Sequence, residues 1–470
     1  MPVIRYFDVT EDDLRKVVAE ALHKGGAYAD LYFESSVFNN LSLRDGAVNS
    51  ALSDVDFGMG VRVIAGERTG YAYTENISLT DMIKAAKTAA NIANSKIAAV
   101  PATKINGLRF KNRYSVEKIW ENVTIKDKAP YLQQLNDRIF ELDSRVCKVN
   151  VNLMDSSSHI MFFNSEGLLC SDHRPMASLS AVCVMEKNGR IENGYAARSF
   201  RKGAEFLSAG IVEEIAIEAV NRTAFMFEAV TPRGGEMPVV MAAGSSGILL
   251  HEAIGHAFEA DFNRKKTSIF SDKHGQQVCD KSINIVDDGT LPANRGSINF
   301  DDEGIETQKT YLVHEGMLAS YIHDRISAGY YKVPSTGNGR RESFRFAPAP
   351  RMRATYMENG KIPERDIIAE VKNGILVNNF SNGEVQIGAG DFTFFVKSGY
   401  LIENGTLTQP IKDVNITGNG PRALADIAMV GNNLKIDHST WTCGKDGQSV
   451  PVSQGLPTVL VKKLTVGGIN

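Results

Sequence analysis

Two histidines and a glutamate in the run His251-Glu252-Ala253-Ile254-Gly255-His256 constrain this chain more than any other stretch. Neutral imidazole is the commonest protein ligand for zinc, and a carboxylate beside such a site can serve as a general base. The familiar helical pattern for that chemistry, H-E-x-x-H, separates the histidines by four residues, whereas here they are five apart. On a regular helix over residues 246–262, with His251 set at zero, Gly255, Glu259, Glu252 and His256 fall at about 40°, 80°, 100° and 140°. Leu250, Ala253, Ile254, Ala257 and Phe258 take the opposite arc. Such a helix needs a core on one side and presents imidazoles and carboxylates on the other. An angle of about 140° is too wide for both imidazoles to reach one ion. The spacing therefore predicts a local π-type widening around residues 251–256, whose longer hydrogen-bond reach brings residues five apart onto one side. Gly255, lying between them, has no side chain to block an ion.

A catalytic zinc takes three protein ligands and leaves a position for water, so a third ligand must come from elsewhere. Histidine, carboxylate and thiolate are all eligible. Cys443 stands out, in Trp441-Thr442-Cys443-Gly444-Lys445-Asp446-Gly447-Gln448, a glycine-flanked turn where Gly444 lets the backbone approach closely and Lys445 favours thiolate. His323 and His438 are weaker candidates. The blander readings are a solvated helix surface at 251–256 and a small buried apolar group at Cys443.

The 470 residues are too many for one ordinary core, and 43% hydrophobic with 23% charged residues describes a globular protein. A net charge of -3 gives no electrostatic footprint for nucleic acid or an anionic membrane. The longest apolar run, residues 237–250, is too short and too polar to span a bilayer. Residues 1–8 carry no secretory pattern, and Cys147, Cys170, Cys183, Cys279 and Cys443 form no C-x-x-C pair. A reducing, cytoplasmic setting is the expectation.

Thr10 and Asp13 open an amphipathic helix carrying Leu14, Val17, Val18, Ala21 and Leu22. Strand patterns follow at 30–38, 40–44, 58–65 and 70–74, then an alanine-rich helix from a Thr80 cap to about Ile97. Helical pattern resumes from 115 to about 146, strand pattern from 148 to 184, and a helix from about 208 to 227. The stretch 231–235 reads as a linker. Beyond it, short strands and recurrent Asp-Gly and Asn-Gly turns suit antiparallel sheet. The expected architecture is α+β: a mixed helix and antiparallel-sheet domain over 1–230, and a β-rich domain over 231–470 built around the motif helix. Gly388-Ala389-Gly390 lacks the third spaced glycine of a dinucleotide site.

Residues 239–263, Asp287-Asp288-Gly289 (read as a turn), residues 444–448 and Leu464-Thr465-Val466-Gly467-Gly468 together resemble the TldD/PmbA family, and within it the TldD-type subunit. The resemblance runs over nearly the whole chain. It implies a zinc metallopeptidase whose own signature is H-E-x-x-x-H, with His251, His256 and Cys443 as ligands and Glu252 as catalytic base. It also implies short or unfolded peptide substrates reaching an enclosed cleft, and a dimer, either of two copies or with a PmbA-type (TldE) subunit that lacks the metal motif. A non-catalytic peptide-binding or scaffold subunit is the alternative. Glu259 would orient a ligand from behind. Arg351, with Arg340, Arg341, Arg345 and Arg353, would either clamp a carboxylate or pair within its own loop.

Overall fold

In a computed structural model describing residues 6–96 and 99–468, the first half is one antiparallel sheet with four helices on a single face. Its strands are β1 (Tyr28–Arg44), β2 (Ala47–Ala65), β3 (Arg68–Thr74), β4 (Val146–Asn164), β5 (Leu168–Lys187) and β6 (Arg190–Phe200), in the spatial order β3-β2-β1-β4-β5-β6. Asn106–Gly107 adds a short parallel strand to β5. The helices are α1 (Glu11–Leu22), α2 (Leu79–Ala93), α3 (Ile125–Leu142) and α4 (Ala209–Glu228).

Strand alternation explains the layering, because successive side chains point to opposite faces. Odd-numbered Leu31, Phe33, Met161 and Phe163 pack under α1 and α2, while Leu41, Leu43, Val151, Leu153 and Leu179 pack under α3 and α4. The register Leu31↔Phe163, Leu41↔Leu153 and Leu153↔Leu179 keeps these residues in line. Even-numbered Tyr32, Ile160, Phe162 and Cys170 face the other way, against Phe300 and Phe344 of the second half. Charged residues share that second face. Arg62 donates to Asp30 at 2.9 Å and to Glu303 at 2.6 Å, and Arg174 to Asp302 at 2.6 Å.

The second half contains β7 (Gly235–Met241), β8 (Asn373–Gln386), β9 (Asp391–Glu403), β10 (Val414–Asn419), β11 (Thr442–Lys445), β12 (Gln448–Pro451) and β13 (Val459–Gly467). Pairings β8–β7, β7–β13, β13–β10, β10–β9 and β9–β8 close a ring of five strands. Val239, Met241, Ile375, Val377, Val459 and Val461 point inward and share one core with Ile248, Ile254 and Phe258 of the motif helix. Val240, Leu376 and Leu460 point outward into a separate cluster. A six-stranded sheet that includes Ile285–Asp288, Ala354–Met357 and Ser453–Leu456 lies beside the ring, and the β11–β12 hairpin leads into it.

Several sequence-based boundaries move. Ser78, not Thr80, caps α2, which ends at Ala93; the expected end at Ile97 lies outside the described residues. Residues 30–44 form one strand, and β2 extends back to Ala47 through exposed residues whose pattern gave no burial signal. α3 is shorter than residues 115–146, since Thr124 caps it with a reciprocal bond to Asp127. β6 has no counterpart among the expected strands. Asp287 and Asp288 lie on a strand instead of in a turn, with Asp287 accepting from the Arg353 amide at 2.8 Å.

Candidate metal centre

Gly244 turns the chain out of β7 with φ 101, a backbone angle that favours glycine, and the motif helix begins at Ser245. Its first turns are narrow. From His251 to Gly255 the helix widens into a π turn, in which the His256 amide donates to the His251 carbonyl. That widening, expected from the five-residue spacing, brings the two imidazoles onto one side with ring centroids 5.0 Å apart. A Cβ at Gly255 would collide with Met352 Sδ.

The helix does not run on to residue 262. Glu259 adopts φ -66, ψ 124 and breaks it. Asn263 Nδ2 donates to the freed carbonyls of Ala257 (2.7 Å) and Glu259 (2.9 Å). The break places Glu259 Oε2 3.2 Å from His256 Nδ1. Lys445 Nζ lies 3.0 Å from the same carboxylate and 2.8 Å from Asp261. Burial pushes the Glu259 carboxyl up, but Lys445 and His256 outweigh it and hold it down to about 2. The fully buried carboxylate fixes the orientation of the imidazole beside it.

Cys443 reaches the histidines from β11. Its Sγ is 3.5 Å from His256 Nε2, and one nitrogen from each of His251 and His256 together with the sulfur lie within 4.8 Å of one another. All three residues are buried, Cys443 at 2% exposure. Burial raises the thiol, yet His251 and His256 lower it well below its usual range. Lys445 does not supply that effect, being paired with Glu259 and Asp261. Gly444 makes no close approach: nothing lies within 4 Å of an added Cβ. The turn itself is Asp446-Gly447, both at positive φ.

Whether the residues suit a metal ion is decided by their donor set. His251 Nδ1 is buried without a hydrogen-bond partner, beside a thiol held towards its anion. Two imidazoles and one thiolate are a zinc-type ligand set. Glu252, next to His251, is half-buried under Gly383 of β8, whose missing side chain leaves it room. Burial raises its carboxyl above the ordinary value, with His251 and His256 pulling it partly back.

Arg351, Arg353, Arg341 and Arg345 of the arginine loop are held internally, whereas Arg340 meets only main-chain carbonyls. Arg351 is fully buried and donates to the Cys443 carbonyl at 2.5 Å, so it braces the hairpin and faces no open cleft. Arg353 is bound by Asp287, Arg341 lies against Asp302, and Arg345 pairs with Asp56 and Glu75. A second histidine group, Glu121, His159 and His173, sits on β4, β5 and the segment before α3. Its imidazoles stack at 4.6 Å and 13°, and Ser157 already lies 2.7 Å from His173 Nε2.

His438 packs on Phe200, and His323 lies between Tyr321 and Tyr331, both away from the trio. Burial pushes the His323 imidazole down to about 4 from its ordinary 6.5. The unfolded chain therefore takes up this proton first, so its contribution to stability is lost as pH falls through 6.5 towards 4. The full shift corresponds to about 3 kcal/mol. In His323→Phe, unfolding free energies measured between pH 7 and 4 should have a shallower acid slope. An unchanged slope would mean that other groups set it.

Comparison with known proteins follows the geometry. Sequence models of PmbA/TldA metallopeptidase domain 1, the central domain and the C-terminal domain match residues 29–93, 118–224 and 234–468. A Haemophilus influenzae protein named metalloprotease TldD homolog is 38% identical over 455 residues, covering 95% of this chain and 94% of the relative. A zinc metalloprotease TldD homolog of Saccharolobus solfataricus is 26% identical over 96% of this chain and 99% of its own length. TldE of Thermococcus kodakarensis, 19% identical, shares the fold with a TM-score of 0.74 over 97% of this chain and 100% of that one.

Proposed function

Since the chain belongs to the PmbA/TldD metallopeptidase family, we propose that it is a catalytic, TldD-type zinc peptidase acting on short or unfolded peptides. The observation carrying this reading is the buried convergence of His251, His256 and Cys443, with Glu252 alongside. His251, His256 and Cys443 would hold the ion, and Glu259 with Lys445 would keep the His256 ring in place. Bound zinc supplies Lewis acidity toward the scissile carbonyl and toward water.

The remaining chemistry belongs to the protein. Glu252 accepts the proton of the attacking water and hands it to the leaving amine nitrogen. Burial raises its proton affinity above the ordinary carboxyl value, the direction that favours holding the proton between the two transfers. The trio is buried and Glu252 only partly so, which suits an extended chain better than a folded protein as substrate.

We place the chain in an assembly with a second copy or with a TldE-type subunit, the fold that it shares with the Thermococcus protein. Sedimentation of the chain alone separates these, a monomer ruling out the pair of copies. No described helix is long and apolar enough to cross a membrane. The described cysteines are unpaired, which fits a reducing cytoplasmic setting.

The direct test is metal removal. Dialysis against a chelator should abolish hydrolysis of an unfolded peptide, and about one equivalent of zinc per chain should restore it. Hydrolysis that survives complete metal removal, or a zinc-replete protein without activity, would refute the proposal.

A further inference from the structure

A cavity of about 550 Å³ lies between the even-numbered face of the first sheet and the second half of the chain. Five arginines line it, and they differ in how their charge is met. Arg174 is matched by Asp302 at 2.6 Å and Asp172 at 3.1 Å, and Arg341 donates to the Asp302 carbonyl and lies over the Tyr32 ring. Arg201, Arg295 and Arg340 are not ion-paired among the described residues. Arg340 donates only to the carbonyls of Met352 (2.6 Å) and Pro451 (2.8 Å). Arg295 donates to the Trp441 carbonyl (2.8 Å) and to hydroxyls, that of Ser199 being nearest at 2.8 Å. Among the described residues Arg201 makes no side-chain hydrogen bond; its buried Nε has no acceptor there, and its guanidinium lies 5.6 Å from the Tyr114 ring centre. The three are 5%, 9% and 3% exposed.

Buried cations without counter-charges are costly, and here each raises the cost of the others. Burial, then Arg201, pushes Arg340 down to about 9 and Arg295 to about 10. The acids of the same cavity are engaged elsewhere. Asp155 holds Lys128 at 2.6 Å, Glu34 takes Ser36 and the Phe344 amide, and Glu342 takes the Ser449 amide.

A second cavity of about 540 Å³, lined by Phe380 and Ser381, adjoins the first and shares Thr440 and Thr442 with it. Those residues precede Gly383, the residue packed on Glu252. On β11, Thr442 faces the cavities while its neighbour Cys443 faces the histidines.

We propose that Arg201, Arg295 and Arg340 form a carboxylate-binding site that anchors one end of a peptide lying across the two cavities, a reading that rests on the peptidase function above. Guanidinium groups with spare donors match a carboxylate by paired charge-assisted hydrogen bonds. The C-terminal carboxylate and an acidic side chain offer the same chemistry.

Three fluorescein-labelled pentapeptides decide the matter: one with a free C-terminus, its C-terminal amide, and an amide ending in glutamate. Their affinities are measured by fluorescence anisotropy on zinc-loaded Glu252→Gln protein and on the same protein carrying Arg201→Gln. Among the described residues the Arg201 side chain makes no hydrogen bond, and glutamine keeps the main-chain bond from the residue-201 amide to the Ala293 carbonyl. The free acid should bind about tenfold more tightly than its amide, and Arg201→Gln should erase the difference. Recovery of affinity by the glutamate amide shows that the site also accepts a side-chain carboxylate. Equal binding of all three peptides, or an acid preference that persists in Arg201→Gln, overturns the proposal. Wild-type hydrolysis of the plain amide is scored separately: an inactive enzyme that still prefers the free acid refutes the peptidase and leaves the arginine site standing.

Discussion

Glu252→Gln is expected to keep about one metal ion per chain while peptide hydrolysis falls by about 10²–10⁴-fold, the range typical of losing a positioned acid–base group. Glutamine preserves the shape and the half-buried packing against Gly383 but can neither accept nor return a proton. Neither of the proposed ligand imidazoles is altered, so the loss should sit in kcat. Metal analysis and steady-state kinetics on one preparation check this. Retained activity would move the proton transfers to another group, and lost metal would show that Glu252 holds the ion.

Cys443→Ala should do the opposite: metal content collapses and activity follows it. Removing one of three protein ligands weakens binding by more than the about 10–100-fold typical of disturbing a residue behind a ligand. The hairpin should survive, because Arg351 grips the Cys443 main-chain carbonyl and not its side chain. An unchanged thermal transition of the metal-free variant, relative to metal-free wild type, verifies that the framework is intact. Zinc content equal to wild type would remove Cys443 from the centre.

The motif was legible in the sequence because its residue types, spacing and helical faces all speak to one chemistry. The π turn followed from geometry alone. The break at Glu259 did not: nothing in Ala257-Phe258-Glu259-Ala260 marks a helix end, and it is Asn263, four residues on, that satisfies the freed carbonyls. The role of Lys445 was misread for a similar reason, since its partners Glu259 and Asp261 are almost two hundred positions away. In the first sheet, Asp30 sits between Ala29 and Leu31, and Glu34 follows Phe33. Such alternation reads as one wet face, yet the second half covers it. β6 escaped detection because Gly194, Ala196 and Ala197 dilute its pattern where α4 packs closely. Arg340 belongs to the arginine cluster visible in sequence, but Arg201 and Arg295 carry no local signature, and only the fold brings them to it.

The ring of five strands also sets an order of events during synthesis. β13 lies between β7 and β10, and it follows both the motif helix and Cys443 in the chain. A ribosome that has just released residue 443 has made every residue of the trio, yet the wall behind the helix still lacks its middle strand. Emerging chains fold from the N-terminal side, so the first sheet can settle while the second half waits. An ion captured by the two histidines before β13 is in place would therefore meet an incomplete wall behind the helix.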